Sequence, residues 1–159
     1  MLWGRLAILA LTMVSGTAPA QTITTGDPTA MNPALVEMGY KPSVVELNNG
    51  NPLIRVLLND FETGIVFGGC IEGKACKYLI LVSRFTDIQN PPTKWVNAQN
   101  ADLDLGKVWV SEDGILSFSM PVPLAGQAIS RPTLRFVLDQ WSALIGTVAQ
   151  SAMKESLIK

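Results

Sequence analysis

The chain has 159 residues, with 12 basic and 13 acidic side chains, no histidine and a formal net charge of −1. That near-neutral balance argues against nucleic acid or anionic lipid as a main partner, and the absence of histidine excludes every histidine-based triad. A length of this order suits one domain able to bury its own core.

Residues 1–20 read as a secretory signal peptide. Arg5 supplies the positive start, residues 6–14 are a short apolar run, and Ala18-Pro19-Ala20 places small residues at a cleavage site. The run is about half the ~20 residues a membrane helix needs, so no membrane anchor is expected. Cleavage between Ala20 and Gln21 leaves no cysteine at the new terminus for a lipid, and removes only Arg5 among the charged residues. The expected product is a periplasmic or secreted protein. Residues 21–26 are polar and threonine-rich, read as a loose leader. A single domain is expected over residues 27–153, with residues 154–159 as a tail.

Asp27 and Pro28 mark a helix start, and Met31, Leu35 and Met38 share one face before Gly39 ends it. Residues 43–47 and 53–58 read as strands joined by Asn48-Asn49-Gly50-Asn51, a strong turn signal. Asn59-Asp60 turns the chain into a third strand ending at Cys70, and residues 78–82 form a fourth.

Between those last two strands lie the only cysteines, Cys70 and Cys76. Zinc normally takes four protein ligands, and two cysteines without histidine do not supply them. A thioredoxin-like redox pair is spaced CxxC at a helix start, which this is not. In an exported protein, two cysteines flanking a turn between paired strands are expected to form a structural disulfide.

After Phe85 polar residues and Pro91-Pro92 break the sheet, and residues 93–105 read as a second helix with Trp95, Val96, Leu103 and Leu105 as its apolar members. A hairpin around Glu112-Asp113-Gly114 joins residues 107–110 to residues 115–122. There Leu116, Phe118 and Met120 alternate with Ser117 and Ser119, the pattern of one buried and one wetter face. The last helix is capped by Ser130, with Pro132 in its first turn. Its Leu134, Leu138, Trp141, Ile145 and Val148 repeat at helical spacing. The order α–β–β–β–β–α–β–β–α gives an α+β fold, an antiparallel sheet of about six strands with flanking helices.

Several of these segments resemble the YbjN-domain family of bacterial proteins, described as sensory-transduction regulators. They are Asn51-Pro52-Leu53-Ile54-Arg55, Phe67-Gly68-Gly69-Cys70 with Cys76-Lys77, Gly106-Lys107-Val108-Trp109, and Glu112-Asp113-Gly114 through Met120. The resemblance covers roughly residues 27–150 and implies a fold similar to type III secretion chaperones, small α+β proteins that bind other proteins. Asn97 and Asn100 match a family Asn-x-Trp-Asn pattern in which Gln99 replaces the tryptophan, and Gly68 stands where the family has an aromatic residue.

Two classes of function follow. The first is a non-catalytic, chaperone-like or regulatory protein-binding module, with no cofactor, no metal and an open possibility of homodimers. Trp95, beside Pro91-Pro92 and Lys94, is read as partly exposed and as its main contact, with Asn97, Gln99 and Asn100 beside it; Trp109 and Trp141 are read as core. The second is a small periplasmic hydrolase using a carboxylate pair, with Asp102/Asp104 and Glu112/Asp113 as candidates. Turn chemistry at the hairpin tip and a solvated helix end account for those carboxylates, so the binding module is preferred.

Overall fold

The computed structural model describes residues 22–23, 26–46, 52–124 and 128–158. The proposed signal peptide and its Ala20/Gln21 cleavage site lie outside them, as does the Asn48–Asn51 turn. Among the described residues no helix is long and apolar enough to cross a membrane.

The elements follow the predicted order with two short additions. A two-residue strand, β1 (Thr22–Ile23), precedes helix α1 (Pro28–Glu37). Four strands follow: β2 (Ser43–Glu46), β3 (Pro52–Leu58), β4 (Phe61–Gly68) and β5 (Tyr78–Gln89). Helix α2 (Thr93–Asp102), strands β6 (Lys107–Val110) and β7 (Ile115–Pro123), a two-residue β8 (Ile129–Ser130) and helix α3 (Arg131–Lys154) complete the chain.

The six longer strands form one antiparallel sheet, ordered β2-β3-β4-β5-β7-β6. All three helices lie on one face of it, because their buried residues join the inward residues of the strands in a single cluster. The α3 stripe of Leu134, Leu138, Trp141, Ile145 and Val148 is at most 1% exposed. Phe118 of β7 stacks on the Trp141 ring, with centroids 4.7 Å apart. Asp27 caps α1 by accepting from the Thr29 N–H at 2.9 Å, and Ser130 caps α3 by accepting from the Thr133 N–H at 3.2 Å; each satisfies a helix-terminal donor.

Inside this core runs a directional chain of polar groups. Trp141 Nε1 donates to Thr63 Oγ1 at 2.9 Å, Thr63 Oγ1 lies 3.2 Å from Ser83 Oγ, and Ser83 donates to the Glu62 carbonyl at 2.8 Å. Since the Ser83 proton goes to that carbonyl, the Thr63 hydroxyl donates to Ser83. Every member is satisfied, as burial requires.

Four expectations are corrected. The loose leader contains β1, which pairs with β8 through Thr22↔Ser130 and Ile23↔Ile129 and buries Ile23 in the core. Strand β5 continues past Phe85 to Gln89 by way of an irregularity in its pairing with β7. Helix α2 ends at Asp102, so Leu105 lies beyond it and is exposed. Finally, Ser117 and Ser119 are buried, not wet. Each is a small residue flanked across the sheet by larger ones, Ser117 by Arg84 and Trp109 and Ser119 by Val82 and Lys107.

Candidate functional site

Side chains alternate across a strand, so once Ile54, Val56, Ile65, Phe67, Leu79 and Leu81 point at the helices, their neighbours point the other way. Register then aligns those neighbours in rows across the bare face. One row is apolar over five strands: Val45 opposite Leu53, Leu53 opposite Val66, Val66 opposite Ile80, and Ile80 opposite Pro121. Beside it run Arg55, Gly64, Val82 and Ser119. A shallow depression of about 530 Å3 lies over this region, bounded by Leu53, Val66, Val82 and Ile115 and by the charged residues Arg55, Glu62, Arg84 and Asp113.

Two glycines shape the surface. At Gly68 the Tyr78 ring of the paired strand lies flat over the backbone, so close that a Cβ would fall 2.0 Å from its Cε2. With no side chain at Gly68 there is room for that ring. At Gly64 a Cβ would meet only the Leu53 side chain, at 3.0 Å. Leu53 bends over the glycine, leaving the floor of the depression low.

The charges are arranged in two pairs. Arg55 Nε lies 3.8 Å from Glu62 Oε1, and Arg84 Nη2 is bonded to Asp113 Oδ2. Asp113 also accepts from the Ser111 hydroxyl at 2.6 Å. The Ser111 bond, followed by that of Arg84, holds the Asp113 carboxyl below the usual range.

The residues singled out from sequence are distributed differently. Trp95 is 9% exposed, correcting its expected exposure, and its indole N–H donates to Ser151 Oγ of α3 at 3.2 Å. Gln99 Nε2 donates to the same oxygen at 3.0 Å. Asn100 clamps the backbone of β6, its Nδ2 donating to the Val108 carbonyl and its Oδ1 accepting from the Val108 N–H, both at 2.8 Å. Asn97 is exposed on the same helix. Trp109, read as core, is half-buried on the bare face with Lys107 Nζ 5.4 Å from its ring centroid, whereas Trp141 is fully buried. Asp102, Asp104 and Glu112 are exposed. Among the described residues no group of three His, Cys, Asp or Glu side chains is placed to hold a metal ion.

Cys70 and Cys76 form a disulfide. Cys76 is fully buried and its N–H donates to the Gly26 carbonyl at 3.3 Å, which seats the loop against the start of α1. Gly26 has φ +70°, and a Cβ there would fall 2.2 Å from the Cys76 nitrogen, so both its conformation and its contact require glycine.

Sequence reasoning missed the bare face, although a signal was present. Leu53-Ile54 and the run from Leu79 to Val82 are continuously apolar, a pattern of strands covered on both sides. Among the described residues only one side is covered.

A six-stranded antiparallel sheet with its helices on one side and an apolar row on the other defines a one-sided α+β domain. The chain belongs to the YbjN family: residues 27–151 match that family, described as "Putative bacterial sensory transduction regulator". A solved structure of YbjN from E. coli, "a putative transcription regulator", superposes with a TM-score of 0.60 at 13% identity, covering 86% of this chain and 98% of that one. At that identity the likeness concerns the fold. Among curated proteins none matches this chain.

Proposed function

We propose that this is an exported, non-catalytic regulatory module of the YbjN type that acts by binding protein through the bare face of its sheet. The observation that carries the reading is the row Val45, Leu53, Val66, Ile80 and Pro121, which lies in register across five strands with no helix of the described residues over it. Contiguous apolar surface bordered by polar groups is a mark of an interaction site. The contact belongs on this face rather than on α2, because Trp95, Gln99 and Asn100 spend their polar groups on α3 and β6.

The non-catalytic part is supported by the state of the candidate carboxylates. Asp113 is held by Ser111 and Arg84, and a lowered pKa is the opposite of what a general acid needs at neutral pH. The disulfide supports export, since such bonds persist in oxidising compartments.

A photo-reactive amino acid placed in turn at Val66, Ile80 and Phe136 tests the reading in cells. Phe136 is 62% exposed on α3 and serves as the control surface. Protein adducts are expected from positions 66 and 80 and not from 136; adducts from 136 alone, or none, overturn the assignment.

A further inference from the structure

The bare face carries charges whose order has a symmetry. Taken in strand order they are Arg55 on β3, Glu62 on β4, Arg84 on β5 and Asp113 on the turn leading into β7: plus, minus, plus, minus. All four bound one depression. Each is at least 49% exposed. Exposed ion pairs contribute little to the stability of their own chain, so they can re-pair at small cost.

Glu62 and Arg84 share one row of the adjacent central strands β4 and β5, and such a pair is its own complement when strand order is reversed. We propose, resting on the protein-binding reading above, that the occupant of this face is a second copy of the chain. The two copies are related by a two-fold axis that lies in the interface, parallel to the strands and between β4 and β5. The rotation reverses strand order, so Glu62 of one copy faces Arg84 of the other, the two sharing a row on adjacent strands. It preserves position along the strands, so the apolar row meets the apolar row: Leu53 lies against Pro121, Val66 against Ile80, and Val82 over the notch at Gly64. This axis satisfies both the Glu62 and Arg84 charges and the apolar groups. It generates a closed, isologous pair, with the strands of the two sheets aligned as in face-to-face sheet packing.

The test uses protein purified from cells expressing the full chain, studied by sedimentation equilibrium. Wild type is expected to be dimeric. Glu62→Arg and Arg84→Glu each set like charges together at the two-fold and are expected to weaken self-association tenfold or more. Mixing these two variants is expected to restore a dimer, because positions 62 and 84 again face each other with opposite charges. The double variant Glu62→Arg/Arg84→Glu is expected to self-associate for the same reason. Circular dichroism checks that each variant is folded, and a misfolded chain would not be rescued by mixing.

Three outcomes overturn the proposal: a monomeric wild type at 100 µM or so, a dimer indifferent to either single substitution, or weakened variants that mixing does not restore. A monomer whose position 66 still cross-links to another protein leaves the binding reading standing with a different occupant. A monomer with no adduct removes both.

Discussion

Trp141 of α3 donates its indole N–H to Thr63 of β4 across 2.9 Å of an otherwise apolar core. The two residues are 78 positions apart in sequence, so the bond fixes where the long helix sits along the sheet. It also anchors the chain that continues through Ser83 to the Glu62 carbonyl. Trp141→Ala removes a fully buried aromatic side chain, its stacking on Phe118 and one buried donor. The expected loss is about 3–5 kcal/mol, read by chemical denaturation. Trp141→Phe keeps most of the packing and leaves Thr63 without its donor, with an expected loss of about 1–3 kcal/mol.

Asn100 joins α2 to β6 through two hydrogen bonds to one residue, Val108. Asn100→Asp keeps the acceptor for the Val108 N–H and replaces the donor with a charged oxygen facing the Val108 carbonyl. A destabilisation of about 1–2 kcal/mol is expected at neutral pH. Protection of the Val108 amide from hydrogen exchange should fall with it.

The disulfide and the Gly26 contact form one unit at the start of α1. Protein recovered from its native compartment is expected to contain no free thiol and to begin at Gln21, both read from intact mass. Reduction is expected to cost about 2 kcal/mol on the chain-entropy view, because the closed loop is short. Gly26→Ala should be destabilising even with the disulfide intact, since its Cβ meets the Cys76 backbone.

Asp113 sets a pH dependence. Its folded pKa is lowered by the Ser111 hydroxyl and by Arg84, so its contribution is present above the unfolded carboxylate value near 3.9 and is lost as pH falls through the folded one. Asp113→Asn is therefore expected to flatten the acid side of the stability profile below about pH 4 while leaving its shape near pH 7 unchanged, as measured by thermal denaturation across pH.

The parts of the fold that were legible are those with a single period. The α3 stripe follows helical spacing, and the hairpins announce themselves through Asn59-Asp60 and Glu112-Asp113-Gly114. What escaped was decided by distant partners. Trp95 sits beside two prolines and a lysine, surroundings that signal exposure, yet it is buried by a serine 56 positions away. Thr63 is a buried polar residue whose hydroxyl is used by Trp141, 78 positions away. Ser117 and Ser119 follow the alternation of a half-wet strand, but the bulk of their cross-strand neighbours closes over them. The bare face escaped for a different reason. Two-sided apolarity says that a strand will be covered, and nothing local says whether the cover comes from the same chain.

The clamp between Asn100 and Val108 has a meaning beyond holding a helix. Strand β6 is the last in the sheet, and the outward backbone groups of Val108 are those a passing strand would use to extend it. A side-chain amide offers one donor and one acceptor with the same spacing as a peptide unit, so Asn100 acts as a strand one residue long. The far end, β2, is four residues long among the described residues, a length that offers little to a template. Growth of the sheet into filaments is thereby discouraged at both ends. The molecule can keep a broad apolar surface while the association we propose runs face to face into a closed pair, not edge to edge into a fibre.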